Sequence, residues 1–141
     1  MNRTIQKTYL VLAGAILSLV GFYIGFMPTD YLIQFVSKEV ISNDILSEMR
    51  GMGGTLFIFG VFIFSGSYFK QIKGFALMTS GLIYTSFSMF RAIGFILDGM
   101  PSQNILIAFS IEVVFAIIAI LLLTQNKQVL TNGQDSQYLV R

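Results

Sequence analysis

Runs of apolar residues divide this chain into four long segments separated by short polar stretches. They run roughly from Thr8 to Met27, Asp44 to Tyr68, Gly74 to Leu97 and Asn104 to Thr124. Each is close to the ~20 residues that cross a ~30 Å hydrocarbon core. None alternates with a period of two, so the pattern predicts membrane helices rather than barrel strands. Arg3 and Lys7 precede the first segment, as basic residues precede a cleaved signal. Its apolar run is too long for a signal and no small-residue cleavage site follows, so it is read as a retained helix.

The polar punctuation fits these limits. Met27-Pro28-Thr29-Asp30 ends the first helix, because proline disfavours helix in the residue before it. Asn43 or Asp44 is placed to cap the second. Asp98-Gly99-Met100-Pro101 makes a tight turn after the third, with Gly99 suited to a left-handed cap. Short connections make neighbouring helices antiparallel. The predicted fold is therefore all-α, an integral membrane four-helix bundle over residues 1–124. A polar tail over 125–141, containing Asn132-Gly133, is expected to be disordered. In the first connection, Tyr31, Leu32, Phe35, Val36, Val40 and Ile41 recur near helical spacing. A short amphipathic helix in the membrane interface and a plain loop with anchoring aromatics are both open there.

Composition narrows the chemistry. Of 141 residues, 55% are hydrophobic and 11% charged, against about a quarter charged in soluble domains. A soluble fold of this length could not enclose so much apolar surface, whereas lipid covers it. Cysteine and histidine are absent. Zinc, copper, haem and iron–sulfur sites thus lose their usual ligands, and Ser–His or Cys–His catalysis is excluded. No cofactor is implied. The net charge of +2 is too small and dispersed for nucleic-acid binding.

Charge placement predicts orientation. Arg3 and Lys7 precede the first helix, Lys70 and Lys73 fill the second connection, and Lys127 and Arg141 follow the fourth. Asp30, Glu39, Asp44 and Asp98 collect on the other side, where Lys38 is the only basic connection residue. The positive-inside rule puts both termini in the cytoplasm and the first and third connections outside.

Small residues predict where helices touch, since lipid gives apolar helices little reason to associate. Gly14, Ser18, Gly21 and Gly25 share a stripe on the first helix. Gly51, Gly53, Gly54 and Gly60 lie on the second, Gly81, Ser88 and Gly94 on the third, and Ala108, Ala116 and Ala119 on the fourth. These faces are expected to meet within one chain. Pairing with a second copy, or a membrane partner, through Gly14, Gly21 and Gly25 is the other use.

Two charges stand out within the spans. Arg91 lies seven residues before Asp98, roughly 10 Å below the helix end, and Glu112 eight residues beyond Asn104, roughly 12 Å deep. A hairpin centred on Pro101 and Ser102 brings them to matching depth. An unpaired charge costs about 2.5–3.5 kcal/mol or more at the membrane centre, so a charge-assisted pair is expected. Glu48 and Arg50, at the start of the second helix, are expected to add to the cluster. Arg50 is expected to face inward, because Gly53 and Gly54 leave room below it. With Asp98, the set is Glu48, Arg50, Arg91, Asp98 and Glu112. Nothing in it marks a nucleophile, metal or phosphate loop, so catalysis is not implied.

The run Ser47-Glu48-Met49-Arg50-Gly51-Met52-Gly53-Gly54, then Arg91 to Gly94, Asp98-Gly99-Met100-Pro101 and Glu112, resembles a bacterial membrane family. That family is catalogued as domain of unknown function 4345 and is similar to DoxX-like four-helix membrane proteins. The resemblance implies a multi-pass protein of the bacterial inner membrane and no established activity. A thiol role does not carry over, because this chain has no cysteine. It also implies that the five charged residues form one pattern. Two functions stay open: binding of a lipid, quinone or other amphiphile at the cluster, or an accessory or scaffold subunit whose charges are structural.

Overall fold

In the computed structural model, the backbone is described for residues 3–138 and the side chains for residues 4–125. The described residues contain helices and turns but no strand. Helix α1 (Arg3–Phe26) is followed by a short α2 (Pro28–Leu32), a 3₁₀ turn (Lys38–Val40), then α3 (Asn43–Ser65), α4 (Lys73–Leu97) and α5 (Gln103–Tyr138). Four of these, over Thr4–Phe26, Asn43–Ser65, Lys73–Leu97 and Gln103–Gln125, are long and apolar enough to cross a membrane. The shortest, at 23 residues, spans about 35 Å at 1.5 Å per residue.

The distribution of side chains is that of a membrane protein. Leu19, Ile58, Leu82 and Ile96 lie exposed on the flanks of the spans, while Ala13, Ala76 and Ala119 are fully buried. Leu10, Ile63 and Leu77 are buried as well, but so many large apolar residues lie exposed that lipid is the medium that accepts them.

Local sequence explains the helix ends. Pro28 occupies the first turn of α2, where its missing N–H costs nothing. The cap of α3 is Ser42 rather than the predicted Asn43 or Asp44. Its Oγ accepts a hydrogen bond from the Ile45 backbone N–H at 3.3 Å, and Asp44 in the first turn complements the helix dipole. Gly99 takes φ +93°, the left-handed conformation predicted for the turn after α4. The first connection is neither one amphipathic helix nor a plain loop. It divides into α2 and the 3₁₀ turn, with Ile33, Phe35 and Val36 exposed between them. Helix α5 continues to Tyr138, past the predicted end at Thr124, although its membrane-length window closes at Gln125. Of the tail expected to be disordered, the side chains beyond Gln125 and the last three residues lie outside the described residues.

Two compact units make up the chain: Lys7–Ala76, and Met1–Gln6 with Leu77–Arg141. In the first, α1 packs antiparallel on α3 through the predicted glycine stripe. A β-carbon on Gly21 would fall on the backbone of Leu56 and Phe57 and 2.8 Å from the Gly53 carbonyl oxygen. One on Gly14 would meet Phe64 and the Gly60 carbonyl oxygen, the latter at 2.8 Å, and one on Gly60 would meet Ser18. Gly25 faces Gly53 and Gly54 in the same way. The stripe on α1 thus meets α3 of the same chain.

In the second unit, α4 and α5 form an antiparallel hairpin around the Asp98–Ser102 turn. Their seam is made of side chains. Gly81 faces Ala119 and Leu123, Tyr84 stacks on Phe115 with centroids 5.0 Å apart, and Phe95 meets the edge of Phe109 at 5.0 Å.

Candidate functional site

The α4–α5 register carries Arg91 and Glu112 to the same level, as the hairpin geometry predicts. Arg91 Nε donates a hydrogen bond to Glu112 Oε1 at 3.1 Å and lies 2.9 Å from Oε2. Oε1 is the aligned acceptor. Oε2 is buried and held by charge alone, with no hydrogen bond of its own. Contact through Nε leaves the two terminal guanidinium nitrogens without a hydrogen-bond partner among the described residues. The Arg91 side chain is 25% exposed and that of Glu112 13%.

Neighbouring residues shape the surroundings. The Phe87 ring, one turn before Arg91 on α4, lies 6.0 Å from the guanidinium carbon, at the outer limit of a cation–π contact. Ser88 Oγ turns back to the Tyr84 carbonyl at 2.8 Å, and Ser110 Oγ to the Leu106 carbonyl at 2.9 Å. Both hydroxyls therefore satisfy their own helices rather than the ion pair. Phe95 and Phe109 close the seam on the turn side, and Tyr84 and Phe115 on the other. The result is an ion pair between two aromatic layers of the hairpin.

Of the remaining residues of the predicted cluster, Glu48 and Arg50 belong to the first unit and Asp98 to the hairpin unit. Arg50 is exposed rather than facing inward, which corrects the sequence expectation. Its Nη1 donates to the Gly25 carbonyl at 3.2 Å. Gly25 lies in the last turn of α1, whose carbonyls lack intrahelical partners, and a cation there also opposes the negative end of the helix dipole. Space below Arg50 gave no reason to turn inward once that carbonyl was within reach. Glu48 is exposed at the start of α3, and Asp98 is exposed at the turn after α4. Asp98 has a local role, since its N–H continues the helix to the Gly94 carbonyl at 2.7 Å. Within the hairpin unit the structure brings Arg91 and Glu112 together, and among the described residues Asp98 is not joined to them by a hydrogen bond or ion pair.

Sequence reasoning missed two partners. The Gly25 carbonyl is a backbone group and leaves no trace in residue identity. Phe87 had a signal, its position four residues before Arg91 on the same helix face.

Residues 5–123 match the model of a family described as a domain of unknown function (DUF4345). No curated protein and no solved structure matches the chain.

Proposed function

The chain belongs to the DUF4345 family, and on that premise we propose that this multi-pass membrane protein binds the polar headgroup of a lipid, quinone or other amphiphile at Arg91 and Glu112. One observation carries the reading: an arginine within a membrane span is held by its carboxylate through Nε alone, and its terminal nitrogens have no hydrogen-bond partner among the described residues. An ion pair needed only to neutralise Glu112 would favour the bidentate fork, which satisfies more donors at the same cost of burial. Ionisable groups inside a span are functional candidates because they are expensive to keep there. The headgroup expected is one rich in acceptor oxygens, with its apolar tail lying along the aromatic flanks.

By the positive-inside rule the termini are cytoplasmic and the pair lies in the outer half of the bilayer. The membrane we propose is the bacterial inner membrane. A reporter fused after Arg141 that proved to lie outside the cytoplasm would reverse the side but not the site.

The accessory or scaffold role is the second reading, and the hydrogen bond from Arg91 to Oε1, which staples the hairpin, favours it. Native mass spectrometry of gently extracted protein separates the two. Removing one partner leaves a buried charge, so the informative variant replaces both, Arg91→Met with Glu112→Leu. A discrete adduct on the parent that is absent from the folded double variant supports a site. An adduct retained by the double variant overturns it, and no adduct on the parent favours the scaffold.

A further inference from the structure

The first unit carries an unrelated feature at the end where α1 begins, α3 stops and α4 starts. The span of α3 closes at Ser65 and that of α4 opens at Lys73, so the connection between them lies at the membrane boundary. Gly66 allows this connection to fold tightly: a β-carbon there would strike the Ala76 side chain and approach Leu10 at 3.7 Å. The fold brings Lys7 of α1 over the ring of Tyr68, with Nζ 5.4 Å from the centroid. Lys70 follows within the same connection, while Lys73, in the first turn of α4, has an interaction of its own. Neither residues 3–26 nor residues 66–76 contain an acid, so Lys7 and Lys70 meet no carboxylate from either segment. Beside them Tyr68 is 61% exposed, Phe69 63% and Phe75 69%.

We propose that this end is a binding surface for anionic phospholipid headgroups. The lysines meet the phosphate layer while Tyr68, Phe69 and Phe75 lie in the interface beneath it. Amphipathic and aromatic rings settle at that depth, and lysines beside a span are drawn to acidic lipid. Lys7 joins the two chemistries, its ammonium held over the Tyr68 ring at the same end of the unit. Charge complementarity selects this occupant over an acid-poor partner or a zwitterionic lipid. It is independent of the Arg91–Glu112 site.

The chain has no tryptophan, so Phe69→Trp creates a single fluorophore at the patch itself. The protein is reconstituted in vesicles of phosphatidylcholine and phosphatidylglycerol in which one lipid or the other is brominated. Quenching then reports which lipid is enriched beside residue 69. Brominated phosphatidylglycerol should be preferred by at least about fivefold, the equivalent of about 1 kcal/mol from a single lysine. Adding Lys7→Gln and Lys70→Gln should bring the two lipids to parity, while Lys70→Arg keeps the preference. Raising salt from 0.1 to 1 M, which shortens the screening length from about 10 to 3 Å, should weaken it in the lysine-bearing protein. Equal quenching by both lipids in the Phe69→Trp protein overturns the proposal. So does a preference that survives removal of both lysines.

Discussion

Between α1 and α3 the backbones touch; between α4 and α5 the side chains do. The first contact is made by Gly14, Ser18, Gly21 and Gly25 against Gly53, Gly60 and their neighbours, with no room for a β-carbon at several points. The second is layered from Gly81 against Ala119, Tyr84 on Phe115, Arg91 with Glu112, and Phe95 on Phe109. Lipid is as apolar as the side chains it would replace, so either close contact or polar contact must hold a pair of membrane helices together. The chain uses one solution in each unit. A glycine seam leaves nothing unsatisfied and offers nothing to a ligand. The side-chain seam brings a charge into the span and, among the described residues, gives the terminal nitrogens of Arg91 no hydrogen-bond partner, which is why the candidate site is placed there.

The difference can be tested from its steepest point downward. Gly21→Val should be the most damaging change, costing about 3 kcal/mol, because its side chain falls on backbone that cannot turn aside. Unfolding in mixed micelles followed by circular dichroism measures it. A loss below about 1 kcal/mol would show that the two helices are not packed this closely. Arg91→Ala should follow at about 2 kcal/mol, below the full cost of breaking a buried pair because both groups are partly exposed. The exchange of both partners, Arg91→Met with Glu112→Leu, should recover most of that stability in the same assay. If it did not, the pair would be doing more than neutralising itself. Ser42→Ala should cost about 1 kcal/mol by removing the α3 cap. The smallest effect is expected at Gly81→Ala, within about 0.5 kcal/mol, since a β-carbon there meets only Ala119 and Leu123 side-chain atoms at 3.4 Å. Equal losses at Gly81→Ala and Gly21→Ala would erase the distinction between the seams.

Much of this was legible in advance for a physical reason. Spans of about 20 apolar residues are set by bilayer thickness, and the turn at Gly99 by the only residue that adopts its backbone angle without strain. The meeting of Arg91 and Glu112 followed from counting along a hairpin, because short connections leave antiparallel helices one alignment. Arg50 was misplaced for the opposite reason. Its partner is the Gly25 carbonyl, 25 positions away and identical in kind to every other carbonyl in the chain. The Ser42 cap lay one residue outside the predicted pair because three capping residue types stand in a row at Ser42, Asn43 and Asp44.

The sequence by itself determined that this is an all-helical membrane protein with four spans, where its turns fall, and which two charges share a level. Those are properties of length, hydropathy and local backbone preference, which each segment carries alone. Only the tertiary structure decided that the α1 stripe is filled by α3, that Arg50 caps α1, and that Arg91 meets Glu112 through Nε alone. Each depends on which atoms of distant segments come within contact, and residue identity does not encode the positions of backbone atoms it has yet to meet.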